Sequence, residues 1–479
     1  MRPSVQLLSP ELIERILCEA FELLMSPGIR VGSAPVIELL RSEGIEVQDG
    51  VAHLPERLVR RCLASVPREF YLHHRNGEKA VHYGGDDVHF DPGSCCVQVL
   101  DPETLEARPS ETCDLIRIVQ LAEMLPQFAA QSTAVVCADA PDAIGDLYRL
   151  FVVLQHSNKP IVTGSFSAAG LPGMIELLAA DSGGAEKLRR EPRAIFDVCP
   201  SPPLNWSEFG SHNLLELARA GVPAEIVAMP LAGGTAPVTL AGSVTQHAAE
   251  ELAGVTLHQL AGPGSPVVWG GAPAIFDMRT GGAPMGAIET AMLNMACAQV
   301  GKHLGLPTHG YLVATDSKFV DAQAGAESAR SAVLGALAGI NMISGAGMLE
   351  SLACHSVEKL VIDAESIASA FRLTRGVEAP DGTLATAMFA ETGLSGDFLK
   401  LKETRTQFRQ EQHLPSAIID RSTRGAEPAS DVFARARVRV DELVNQYQKP
   451  SVATDVLQTL QKIVDREAER AGAAALPGD

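Results

Sequence analysis

Eight short apolar runs recur along this chain, near residues 88–99, 129–137, 160–166, 193–199, 224–231, 265–271, 307–314 and 340–348. Helical stretches such as 115–124 and 147–156 separate them. Runs without polar alternation suit strands covered on both faces. Regular strand–helix alternation predicts a parallel sheet, and eight units predict a (β/α)₈ barrel. An open doubly wound sheet is the rival topology, but no GxGxxG opens a helix after an early strand. The recurrence is architectural, with no self-similar sequence behind it. At 479 residues the chain has room for such a barrel and additions at both ends.

The flanks read differently. Ser9, Pro10 and Glu11 have the order N-cap, first-turn proline, first-turn acid, and Leu12, Ile16, Ala20 and Leu24 then trace one helix face. Ser33 and Pro35 open a second helix that stops at Gly44; a third starts at Pro55, and Asn76-Gly77 marks a hairpin. Residues 1–85 therefore read as an α/β cap, 86–382 as the barrel and 383–479 as a charged helical extension with a frayed end.

The densest stretch is 226–289. An apolar run from Ile226 ends in Gly233-Gly234-Thr235. A helix follows with Leu240, Val244, His247, Leu252, Val255 and Leu260 in register, and Gly262-Pro263-Gly264 stops it. The run from Pro266 to Trp269 then leads into a loop holding Gly270, Gly271, Phe276, Asp277, Arg279 and Gly281. Barrels of this kind carry their sites on such loops.

Composition narrows the function classes. A formal charge of −19 argues against nucleic acid as a partner. No apolar run reaches membrane-spanning length, and the first residues lack a signal-peptide core. Nine scattered cysteines with no CxxC suggest neither a disulfide framework nor a cysteine zinc site, which points to a reducing, cytoplasmic setting. The absence of HExxH-type spacing argues against a catalytic metal.

Several loops after strands share small residues with an aromatic or polar group. Phe166, Trp206, Trp269, Phe276 and Tyr311 can together wall a cage that holds a quaternary ammonium by cation–π attraction, or they can simply pack the barrel. The two tryptophans, both at strand tips, are the stronger candidates for facing such a cation. Gly234 and Thr235 belong to a substrate-facing loop or to a tight turn. Arg279 suits a carboxylate through its planar fork, or else is braced by Asp277. Asp316, Lys318 and Gln323 are the candidate catalytic groups of the loop after the seventh run. Lys318 admits a Schiff-base reading, set against a plain salt bridge with Asp316 or Asp321. His355 follows the last run and is either a ligand contact or structural, whereas His247 and His258 sit on a helix and read as structural.

The segments LAGGTAPVTLAGSVTQHAAEELAG, PVVWGGAPAIFDMRTGGAPMGAIE, GLPTHGYLVATDSKFVDAQAGAE, SGAGMLES with EKLVIDAE, and FRQEQHLPSAIIDR carry a resemblance that covers nearly the whole chain. They resemble the trimethylamine methyltransferase superfamily. That resemblance implies a TIM barrel which passes a substrate methyl group to the cobalt of a separate corrinoid protein, and a homo-oligomer. The trimethylamine enzymes use pyrrolysine, whereas this chain is written in the ordinary twenty letters, with the family position near TDSKFVDAQ. Members without pyrrolysine resemble glycine betaine methyltransferases and their relatives. A quaternary ammonium leaves as a neutral amine, so Co(I) can attack its methyl without a general acid; the protein's part is orientation, cation stabilisation and water exclusion. The chain lacks the Asp-x-His-x-x-Gly pattern of base-off cobalamin binders, so the cobalamin is expected on the partner.

Overall fold

A computed structural model describes residues 2–379, 382–423, 430–473, 476 and 477. It has a mixed α/β fold. Eight parallel strands form its centre: β1 His89–Pro92, β2 Gln131–Ser132, β3 Ile161–Gly164, β4 Ala194–Val198, β5 Ala224–Ile226, β6 Val267–Trp269, β7 His309–Tyr311 and β8 Met342–Ala346. Each falls in one of the eight apolar runs. They pair as a five-stranded sheet in the order β6-β5-β4-β3-β2 and a three-stranded sheet in the order β7-β8-β1. Backbone contacts join the two sheets at both edges. Trp269 N–H donates to Pro307 O at 2.9 Å beside a parallel bridge from Trp269 to Thr308, and Ala129 N–H donates to Phe90 O at 2.9 Å.

Successive strand residues face opposite ways. In β3, β4, β6 and β8 the residues Val162, Ile195, Val268 and Met342 share one small apolar cluster. Their neighbours Ile161, Ala194, Phe196, Val267, Trp269 and Ile343 belong to the large core shared with the helices. The expected hairpin is present as Phe70–His73 against Lys79–Tyr83, turning through Gly77 at φ +87°. Its Leu72, Val81 and Tyr83 complete the small cluster, so the hairpin caps the end where the strands begin.

Ser9 accepts a hydrogen bond from Leu12 N–H and caps the helix Pro10–Met25 as the sequence predicts. The helix Leu240–Ala261 ends at Gly262, and it is buried along most of its length rather than on one face. It packs against Pro10–Met25, Glu56–Ser65 and Glu208–Ala220, so helices surround it on the side away from the sheet. Ile29–Val31 pairs in parallel with Asn205–Trp206, which ties the N-terminal segment to the loop after β4. Toward the C-terminus come the helices Lys402–Glu411, Val432–Gln446 and Thr454–Arg470. The expectation of a frayed end falls in part on residues 474, 475, 478 and 479, outside the described residues. No described helix is long and apolar enough to cross a membrane.

Candidate functional site

Above the small apolar cluster the inward positions turn polar. Asp91 on β1, Asp197 on β4, Glu225 on β5, His309 and Tyr311 on β7 and Ser344 on β8 form one connected group. Ser344 Oγ donates to Asp91 Oδ1 at 2.6 Å, and His309 Nε2 lies 3.1 Å from Ser344 Oγ. On its other side His309 Nδ1 lies 2.6 Å from Glu225 Oε1. Tyr83, rising from the hairpin, donates to Glu225 Oε2 at 3.3 Å. Tyr311 Oη lies 3.4 Å from both Asp197 Oδ2 and the carbonyl of Ser94.

Three carboxylates therefore face one imidazole in a space largely shut off from water. Burial pushes the Asp197 carboxyl up to about 8, with Glu225 adding to the rise and His309 opposing it. Burial likewise holds Asp91 well above the carboxylate range, against the hydrogen bond from Ser344. Burial pulls His309 down, but Glu225 more than offsets this, so the ring titrates above its ordinary value. Asp91 Oδ2 and Asp197 Oδ1 have no hydrogen-bond partner among the described residues. Such a group, short of positive charge and short of donors, is suited to a cation. Asp197 and Cys199 are half-buried, as are Ser94 and Cys95, so the group is reached from the end where the strands finish.

Of the residues singled out from sequence, Tyr311 alone belongs to this group. Both tryptophans lie elsewhere. Trp269 is fully buried, its Nε1–H donates to Cys297 O at 3.0 Å, and a Cβ at Gly301 would sit 2.6 Å from its ring. Trp206 is also fully buried, with its ring where a Cβ on Gly254 would stand 2.5 Å away. Glycines on the helices Leu240–Ala261 and Ile288–His303 thus make room for two indoles in the layer between helices and strands. The expected cation cage is corrected on this point: β6 turns Val268 inward, so its neighbour Trp269 must point to the helices.

Arg279 is corrected as well. Its Nε and Nη2 donate to the two oxygens of Asp277 at 3.2 and 3.0 Å, and its side chain is 88% exposed. The fork is filled and faces solvent. Arg279→Lys is expected to leave affinity for any amine ligand unchanged; calorimetric titration of wild type and variant checks this, and a selective loss for carboxylate-bearing ligands would restore the clamp.

Gly234 packs against Phe276, and Thr235 closes its turn back to Leu231. A Cβ on Gly234 would lie 3.4 Å from Phe276, and Thr235 Oγ1 accepts from Leu231 N–H at 3.0 Å. Phe166 is exposed after β3. Asp316 accepts from Ser351 Oγ at 2.7 Å, Gln323 donates to Glu327 at 3.0 Å, and Lys318 stands 3.7 Å from Glu350. Asp316 and Lys318 thus tie the β7 loop to the β8 loop, where Glu350, Ser351 and Leu352 all take positive φ, while Gln323 bonds within its own helix. Lys318 is 73% exposed, which leaves it without the desolvation that a Schiff-base lysine needs. His355 is buried away from the acids between Val99 and Met348, and burial pushes its ring down to about 3. The acids carried a signal in the sequence after all: Asp197 and Glu225 are charges set inside apolar runs.

The chain is 29% identical to a trimethylamine methyltransferase of Desulfitobacterium hafniense over 97% of this chain and 95% of that one. It is 32% identical to a trimethylamine methyltransferase of Methanosarcina mazei, covering 94% and 92%. A glycine betaine methyltransferase of Desulfitobacterium hafniense is 28% identical, covering 98% of both. Among solved structures, the Methanosarcina barkeri monomethylamine methyltransferase matches 99% of this chain and 90% of its own, with a TM-score of 0.52 at 11% identity, a likeness of fold. The sequence profile described as trimethylamine methyltransferase (MTTB) matches residues 1–472, so the chain belongs to that family and is a methyltransferase.

Proposed function

We propose that this protein moves a methyl group from a quaternary amine, glycine betaine or a related betaine, to the Co(I) of a separate corrinoid protein. The observation that carries this reading is the excess of buried carboxylates over positive groups around Asp197, in a chain of this family. The eight parallel strands are read as one closed (β/α)₈ barrel, supported by the backbone bonds at both sheet edges. The acids then line its interior, and the loops after the strands form its mouth.

Within that frame the residues divide the work. Asp197 and Tyr311 hold the ammonium, one by charge and one by its ring face. Asp91 lends a buried carbonyl oxygen and Glu225 a carboxyl group to the wall of the site, while His309 and Ser344 fix their orientation. Tyr83 and the apolar cluster below exclude water from the inner side. The reduced cobalt, when its carrier docks, supplies the nucleophile that takes the methyl group. Exposed Val97, Phe166, Met229, Val238, Met278 and Phe319, all on loops after strands, give that carrier an apolar rim to sit on.

The test is methyl-cobalamin formation, followed spectroscopically, from Co(I) cobalamin and a panel of betaines. Methylation with at least one quaternary amine is the expected result; binding without methylation would leave a betaine-binding homologue that has lost turnover. Borohydride with carbonyl substrates is expected to trap no adduct at Lys318, and a trapped adduct would favour a lyase.

A further inference from the structure

A cavity of about 550 Å³ opens between the loops after β2 and β3 and the helix Thr454–Arg470. Arg149 lines it, although that side chain is only 2% exposed overall. The guanidinium is anchored rather than filled. Nη1 donates to Thr133 O at 3.1 Å, and Nη2 donates to one oxygen of Asp146 at 2.7 Å. The other Asp146 oxygen accepts from Phe166 N–H at 2.6 Å. Arg149 thus meets its acid through one nitrogen, where Arg279 meets Asp277 through two. An arginine has five N–H donors, so Arg149 keeps donors beyond these two bonds and its hydrogen bond with the Cys95 thiol.

The surroundings suit an anion. The helix Gly145–His156 begins at the cavity, as does Leu171–Ser182, whose N-cap Gly170 offers no capping side chain. Of the three acids on the wall two are engaged, Asp146 as described and Glu467 with Arg466 and Arg470; Asp142 is the third. The ring of Phe166 lies 5.6 Å from the guanidinium and closes it on one side.

The cavity and the acid group are neighbours. Gly164 pairs with Asp197 in register and puts no side chain between Asp197 and the Phe166 loop. Cys95 interacts with both sides. Burial raises its thiol, Arg149 lowers it from one side, and Asp197 raises it from the other.

We propose that Arg149 is the specificity-determining residue of the site and binds the carboxylate of a betaine whose ammonium rests at Asp197 and Tyr311. The inference rests on the quaternary-amine reading above and names its substrate class: amines that carry both a permanent cation and a carboxylate.

Calorimetric titrations with glycine betaine, choline and tetramethylammonium test it on wild type, Arg149→Lys and Arg149→Gln. Arg149→Gln is expected to lose at least about tenfold in glycine betaine affinity while choline and tetramethylammonium change little, and Arg149→Lys, which keeps charge but loses the fork, is expected to fall between. Equal losses for all three ligands, or none for glycine betaine, would overturn the clamp while leaving the cation site standing. A wild type that binds none of the three sinks the quaternary-amine reading and the clamp with it. Should Arg149→Gln fail to fold, wild type alone decides: acetate should compete with glycine betaine and spare tetramethylammonium, and absence of that competition counts against Arg149.

Discussion

Asp197→Asn is expected to weaken tetramethylammonium binding by roughly tenfold to a hundredfold, the loss of one charge–charge contact worth about 1.4–2.7 kcal/mol. The same change is expected to raise the melting temperature near pH 8. The sign follows from the carboxyl, which burial lifts from 3.8 to about 8 in the folded chain. Between those values the folded protein holds a proton that the unfolded chain releases, so stability falls as pH rises through the window and levels off above it. Asparagine removes that fall. A cation at Asp197 favours the ionised form, so binding below pH 8 must expel the proton. Affinity in the wild type should then improve by up to about tenfold per pH unit until the carboxyl has titrated. Titrations in buffers of different ionisation enthalpy read the released proton directly. A dissociation constant flat from about pH 6 to about pH 8 would remove Asp197 from the cation site.

Trp269→Ala is expected to cost about 3–5 kcal/mol of stability, the range for a large aromatic removed from a packed core. The indole fills a space shaped by Gly301, and its N–H adds a second bond to the helical carbonyl of Cys297, so alanine leaves a cavity and loses that bond. In the fraction that stays folded, affinity for tetramethylammonium should match wild type. Denaturant unfolding measures the first effect and titration the second. A stable variant with weakened binding would return Trp269 to the site.

The contrast between these two residues says what the sequence could and could not disclose. The eight strands were legible because parallel strands covered on both faces are apolar throughout, and the intervening helices have a different period. That same uniformity hid which face each strand residue takes. Trp269 stands at a strand tip, yet position along a strand does not fix facing; only the alternation with Val268, seen once the hairpin cluster is in place, turns it to the helices. Arg279 drew attention by its neighbours, but whether its fork was free depended on a loop turn that brings Asp277 to both nitrogens. Asp197 and Glu225 broke the apolar pattern of their strands, a cue weaker to the eye than a tryptophan but chemically sharper. Arg149 gave no cue, since an arginine in a helix is ordinarily solvated and its burial is a product of the tertiary fold.

The hairpin Phe70–His73/Lys79–Tyr83 has a consequence for the order of events. The proposed barrel is a vessel stoppered at its base, with one doorway. The amine that enters, the demethylated amine that departs and the protein that collects the methyl group would all use it. Under the proposed function, turnover then becomes a queue: the small molecule would be seated before its collector arrives, and the collector would step aside before the spent amine can go. Too much collector, arriving early, would stand in the way of the substrate it is waiting for.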